Sequence, residues 1–418
     1  MLVREAVRIP GWRFASCRRR ECRTGSKAPL NTMRPRLHLL WIVTVIGLGM
    51  PACSRSDPME VPPPRADGPD FIRDNRDLSR PLRMIVYGDM RFTDPKVTSA
   101  TNPKVRRWLV EKIAAERPDA VLLSGDVPWH GGEASDYDVY RAETKMWRDA
   151  HLFIYPALGN HELLGTEGEC LENWWKAFPE LRGRRWYSVR LGDALYILNL
   201  DSNSSLLPGS EQIEWIRSQL SHLPAGTRFV FFNMHHPPVV DVQPHGDASH
   251  NGRPNEHAQA EFLARAAEKS RARFVVEAGH IHNYERFDQD GIVYVVSGGG
   301  GARPRPIIRG PADLYRDGGF PNYHYMRFIE DGSRLIATMV RVADPDGATP
   351  RWEEKDRFEI QAAIQSKAAS AKPRQRGSPG AEARTCHSDW RGRASLLMTS
   401  QVPVRLPKGL GTPSDRFR

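Results

Sequence analysis

The chain has 418 residues, 40% of them hydrophobic and 26% charged, which suits one large or two ordinary folded units and excludes a wholly disordered chain. Its formal net charge of +10 sits at the ends: residues 1–52 hold ten Lys/Arg against two acids, and residues 361–418 hold eleven against three. The 39 basic and 45 acidic residues left in 53–360 make the middle mildly acidic, so nothing in its charge supports nucleic-acid binding. Of five cysteines only Cys170 lies well inside that middle, which excludes a disulfide framework.

Residues 1–32 form no recognisable element, and Met33 is read as the start. Met33-Arg34-Pro35-Arg36 gives a basic opening to the apolar run LHLLWIVTVIGLGMPAC, too short for a membrane span but suited to a signal peptide over 33–53. Met50-Pro51-Ala52-Cys53 resembles a bacterial lipobox. That resemblance implies cleavage before Cys53, a lipid on its thiol, and anchorage to a membrane on the periplasmic side of the cell envelope. Plain signal-peptide cleavage and an uncleaved anchor are the other two readings. Residues 54–80 are rich in proline and charge and read as a tether.

From 81 to about 345 apolar runs alternate with helical patterns. LRMIVYGD precedes an amphipathic segment at 103–117, AVLLSGD a helical stretch at 135–150, and then comes LFIYPALGNH. RWYSVRL and ALYILNLD follow, then a helix at 209–221, RFVFFNMHH, a helix at 255–270 and RFVVEAGH. IVYVVSGGGG, HYMRFIEDG and RLIATMVRV close the region, the last two reading as a hairpin, with 346–360 as a terminal strand or extension. Runs separated by helices predict β-α-β units and closely spaced runs predict antiparallel pairs, so the expected fold is an α/β sandwich of two packed mixed sheets flanked by helices. Residues 361–418 are rich in Ala, Ser, Lys, Arg, Pro and Gly without periodicity, a composition that predicts disorder.

Five of the apolar runs end in a potential metal ligand: Asp89, Asp126, Asn160-His161, His235-His236 and His280-x-His282. Strand ends are where an α/β sheet delivers side chains into one crevice. One Gly-Asp after a strand is usually a turn and one histidine is usually structural, but five such ends in a row are hard to explain as turns.

The ordered pieces GDMR (88–91), GD (125–126), GNHE (159–162), HH (235–236) and GHIH (279–282) resemble the calcineurin-like metallophosphoesterase superfamily. GHIHNYER, LDSNSSLLPGSEQIEWIRSQL and HHPP are similar to its purple acid phosphatase branch. The resemblance spans about 80–345 and implies a two-metal phosphoesterase acting on a phosphate-ester substrate, with Fe, Mn or Zn as the ions. Carried over, Asp126 would bridge the ions. Asn160, His235 and His280 would complete the second site, and Asp89 and His282 the first. His161 would stabilise the phosphate or protonate the leaving oxygen, and His236 would contact substrate.

Two positions depart from the family. Arg91 stands where most members have a histidine, and Trp129, which offers no lone pair, stands where purple acid phosphatases have a metal-binding tyrosine. His130, one place further on, is a possible replacement. For Arg91 two readings stand equal: a salt bridge, for example to Asp94, or a guanidinium that binds a phosphate oxygen. In either case its charge predicts that the first metal binds more weakly than the second. Tyr284-Glu285-Arg286 reads either as a substrate contact or as an exposed strand, the loop 239–256 with His245 and His250 as a surface segment, and SGGGGARP as a tight turn that lets backbone approach the site. The expected function is phosphate-ester hydrolysis, monoesters slightly favoured over the nucleotide or lipid diesters that are the first alternative. The other is an envelope lipoprotein that kept the fold and lost turnover.

Overall fold

The computed structural model describes residues 64, 65, 67–243 and 251–363. The signal segment, Cys53, the tail from 364, His245 and His250 lie outside the described residues. Thirteen strands are found among them: β1 (Phe71–Arg73), β2 (Leu82–Tyr87), β3 (Ala120–Leu123), β4 (Ile154–Pro156), β5 (Tyr187–Leu191), β6 (Leu195–Asn199), β7 (Phe229–Met234), β8 (Arg273–Ala278), β9 (Tyr284–Gln289), β10 (Ile292–Ser297), β11 (His324–Glu330), β12 (Arg334–Val342) and β13 (Trp352–Gln361). Six α-helices join them: α1 (Pro103–Glu116), α2 (Ala134–Glu143), α3 (Lys145–Asp149), α4 (Glu167–Ala177), α5 (Glu211–Ser221) and α6 (Pro254–Ala267).

The strands form two mixed sheets. One runs β1-β5-β6-β7-β8-β10-β9 and the other β13-β12-β11-β2-β3-β4. β2, β3 and β4 are mutually parallel, as are β6, β7, β8 and β10, while β11, β12 and β13 close the second sheet in antiparallel fashion. This is the α/β sandwich expected from the sequence. In β7 the alternation that every strand imposes sends Phe229 and Phe231 into the core between the sheets, and Val230, Phe232 and Met234 into a second core with α5 and α6. Both faces are buried, so the run is apolar except at Asn233, whose amide donates to Leu123 O (3.2 Å) and Asn199 Oδ1 (2.8 Å). Phe231 meets Phe328 of the opposite sheet edge-on, 5.2 Å between ring centres, a pair worth about 1 kcal/mol beyond its buried area.

Three local expectations change. The helix predicted over 135–150 is two helices, because Thr144 turns its hydroxyl back onto the Tyr140 carbonyl (2.6 Å) and α3 starts afresh after it. The segment read as a tether contains β1, which pairs parallel with β5 from Phe71↔Val189 to Arg73↔Leu191. Three residues are too few to show a period. Tyr284-Glu285-Arg286 is neither a substrate contact nor exposed: Tyr284 and Glu285 are buried, and the Tyr284 hydroxyl (2.9 Å) and Arg286 Nε (2.7 Å) both donate to Asp356 of β13. That contact ties the β9 edge of one sheet to the β13 edge of the other.

Candidate metal centre

The C-terminal ends of β2, β3, β4, β7 and β8 converge where the two sheets meet, and Asp89, Asp126, Asn160-His161, His235-His236 and His280-x-His282 follow them. The turns that bring them together are unusual for their residue types. Asp89 (φ 63°), Arg91 (49°), Asp126 (55°) and His280 (70°) all take the left-handed backbone conformation, which costs a residue with a Cβ about 1 kcal/mol or more and persists only where surroundings enforce it. Cross-links between loops enforce it here. Asp89 Oδ2 accepts from the His280 amide (2.8 Å), and Asp126 Oδ1 from the His161 amide (3.0 Å). The glycine run closes the floor, where the Gly300 amide donates to Gly88 O (2.9 Å) and that of Ala302 to Asp89 O (2.8 Å). A Cβ at Gly300 would sit 2.3 Å from the Gly88 carbonyl, so only glycine fits that approach.

Four donor atoms face one another at the second site. His235 Nε2 lies 2.9 Å from Asn160 Oδ1, 3.2 Å from Asp126 Oδ1 and 3.1 Å from His280 Nδ1, and the last is 3.2 Å from Asn160 Oδ1. The Ser124 carbonyl can only accept, so His235 gives it the Nδ1 proton (2.9 Å) and keeps its lone pair on Nε2. Lone pairs and carboxylate oxygen at such separations repel, and a cation among them turns repulsion into attraction. The donor set, two imidazoles, an amide oxygen and a carboxylate, suits a borderline divalent or trivalent ion. These residues fit the metal that the sequence leads one to expect.

The first site is poorer. Asp89, Asp126 and His282 are fully buried and bring their ligand atoms within 4.8 Å of one another. His282 gives its Nδ1 proton to the Arg303 carbonyl (2.8 Å) and turns Nε2 toward Asp89 Oδ1 (3.4 Å), a buried oxygen that accepts no hydrogen bond among the described residues. Burial pushes the Asp89 carboxyl up to about 7, Asp126 adding to the effect and His235 and Arg91 opposing it. Asp126 is also buried, but His235, His161 and Arg91 outweigh that and hold it well below the usual carboxylate range. His130 joins neither ligand group.

Arg91 does not use Asp94. Its Nε (3.2 Å) and Nη2 (3.0 Å) both donate to Asp126 Oδ2, the carboxylate shared by the two sites. Trp129 carries Arg91 over its ring at 5.2 Å and packs against the His161 ring at 4.8 Å. The Trp129 carbonyl takes the Nδ1 proton of His161 (2.6 Å), which aims Nε2 at the site, 3.7 Å from Asp126 Oδ2. Burial lowers the pKa of His161 to about 4 against the pull of Asp126, so the resting imidazole is neutral. His236 exchanges hydrogen bonds with Ser202, whose oxygen lies 2.7 Å from Nδ1 and accepts the His236 amide at 3.0 Å. Its ring lies 4.4 Å from that of His280, beside the second site.

Sequence reasoning assigned no role to Glu162. Fully buried, it accepts from the amides of Val127 (2.7 Å, Oε1), Asp126 (3.0 Å) and Gly159 (2.6 Å, both Oε2), so one carboxylate fastens the β3 and β4 ligand loops together. The signal was the acid closing GNHE, two places after Asn160.

Residues 82–284 match the family model described as calcineurin-like phosphoesterase. Those residues form a calcineurin-like metallophosphoesterase domain. The "Probable purple acid phosphatase 20" of Arabidopsis thaliana is 26% identical over 273 residues, covering 60% of this chain and 57% of that protein. The purple acid phosphatase PPD1 from yellow lupin (Lupinus luteus) seeds has the same fold, with a TM-score of 0.54 and 21% identity, over 67% of this chain and 53% of the lupin one. The chain thus spans little more than half the length of these relatives. The metallophosphoesterase domain supplies every ligand named above, His282 included, and β10 to β13 complete the sheets beyond it.

Proposed function

We propose that this protein is a metal-dependent hydrolase of phosphate esters, with monoesters preferred. The observation that carries the reading is the convergence of Asp126, Asn160, His235 and His280 donor atoms at 2.9–3.2 Å, with Asp89, His282 and His161 at the margin. Asp126, Asn160, His235 and His280 would hold an ion such as Fe, Mn or Zn, which would supply Lewis acidity to activate water and to polarise the phosphoryl group.

The chain's own groups supply the rest. His161 is locked in one tautomer by Trp129 and offers Nε2 to the substrate. A phosphate dianion beside a neutral imidazole raises its proton affinity, so His161 takes up a proton on binding and passes it to the leaving oxygen. His236, fixed by Ser202, offers a second imidazole to the phosphoryl oxygens. The monoester preference rests on the similarity to purple acid phosphatases and no longer on the Tyr284-Glu285-Arg286 segment. The lipobox at 50–53 supports a lipid-anchored place in the cell envelope.

The test is hydrolysis of an aryl phosphate monoester and of its diester by the full chain, with Mn, Fe, Zn and Mg supplied in turn. Turnover should be faster on the monoester and fall about 10²- to 10⁴-fold in His161→Ala. Faster diester turnover would reassign the substrate. A folded protein inert with every metal would defeat the reading.

A further inference from the structure

Arg91 is built into the site and is not a rim residue swinging in solvent. Its side chain is 11% exposed, its amide donates to the Asp126 carbonyl (2.9 Å), and its guanidinium rests over Trp129. Its carbonyl is held in turn by Arg106 Nη1 (3.0 Å), a fully buried arginine on α1 that also grips Thr93 O (3.3 Å) and the Glu143 carboxylate. Backbone, side chain and support are therefore fixed together.

What Arg91 is fixed upon is the shared carboxylate. Asp126 Oδ1 faces the second site, while Oδ2 receives two N–H bonds from Arg91. An ion in the first site would have only Asp89, Asp126 and His282 as side-chain ligands, and the carboxylate it shares would already hold a permanent cation. A guanidinium at hydrogen-bond distance from that oxygen opposes a second ion through both charge and occupancy. The first site does not fit a tightly held metal. We infer that Arg91 takes the place of one of the two ions, so that the centre holds one metal firmly and uses a fixed guanidinium as its second positive charge. Nη1 makes no hydrogen bond among the described residues and is the group left to meet a phosphoryl oxygen.

This rests on reading the cluster as a metal centre, and its test does not depend on turnover. Titration calorimetry of the full chain with Mn²⁺ should give one firm equivalent and a second at least about tenfold weaker. Arg91→Ala and Arg91→His should leave the first equivalent unchanged and tighten the second about tenfold or more, whereas Arg91→Lys, which keeps the charge, should stay close to the parent. Electron paramagnetic resonance should follow: an isolated Mn²⁺ signal in the parent at two equivalents, and an exchange-coupled pair in Arg91→Ala. Two equally firm ions in the parent, or an unchanged second affinity in both neutral variants, would overturn the inference and leave the phosphoesterase reading intact. Parent protein that binds no metal at all would overturn both. Should the neutral variants fail to fold, the parent's two affinities still decide.

Discussion

Glu277 stands on β8 in register with Asn233 of β7 and Val295 of β10, three residues before His280. Its neighbour Val275 faces the core between the sheets, and Phe274 and Val276 face the helices, so alternation puts Glu277 in the core between the sheets. It is fully buried and neither carboxyl oxygen has a hydrogen-bond partner among the described residues. Burial alone pushes its pKa well above the ordinary 4.5. Burial thus favours the neutral form of Glu277 in the folded protein, while the unfolded chain ionises it at its ordinary pKa. The sign follows: its contribution to stability is fully present below 4.5 and is lost as pH rises toward the folded pKa. Each unit by which burial raises the folded pKa is worth about 1.36 kcal/mol of this pH-dependent stability. Glutamine has the same shape and cannot ionise. Glu277→Gln should match the parent within about 1 kcal/mol at pH 4.5 and gain on it steadily as pH rises above that, by about 1.4 kcal/mol for each pH unit up to the folded pKa. Urea unfolding of both proteins across that range reads the difference directly, since all other titrating groups cancel. A difference that stays constant with pH, or a glutamine variant weaker at pH 7, would refute a neutral acid at this position.

Two further outcomes are expected. Glu162→Ala strands three amides and loosens two ligand loops, so metal affinity should fall about 10- to 100-fold and stability by about 3 kcal/mol or more, with Glu162→Gln between the two; calorimetry and urea unfolding check both. Radiolabelled palmitate should enter the full chain in a bacterial host and be absent from Cys53→Ala, and a parent without label would remove the lipid anchor.

The order of elements was legible because each strand that delivers a ligand is a mainly apolar run, interrupted only at Arg83 in β2, Asn233 in β7, and Arg273 and Glu277 in β8, and each run stops at a Gly or at a polar residue that turns the chain. Position in sequence also located the ligands, since in a sheet of this kind the crevice lies at strand ends. What could not be read were partners chosen by the third dimension. Arg91 has an acid three residues away, and local reasoning favours it, but the left-handed turn at Arg91 and the Arg91-to-Asp126 backbone bond carry the side chain to an aspartate 35 residues on. Glu162 faced the same difficulty, because its role consists of three backbone amides that only the meeting of two loops brings within reach. Tyr284 and Arg286 looked like site residues for being next to GHIH, yet strand alternation and the edge contact with Asp356 turn them away.

The two departures noted separately in the sequence, Arg91 and Trp129, are one device in space. The indole packs against His161 on one side and bears the Arg91 guanidinium at 5.2 Å, while its carbonyl fixes the His161 proton and the guanidinium fixes Asp126. A tyrosine at 129 would offer an oxygen ligand in place of this aromatic contact surface, and a histidine at 91 would offer a lone pair in place of a permanent charge. Changing either alone leaves the other with the wrong neighbour: a guanidinium beside a better-liganded ion, or an indole with no cation to carry. The substitutions therefore form a matched pair, and the effect of changing both should depart from the sum of the single effects by about 0.5 kcal/mol or more, as expected for residues in contact.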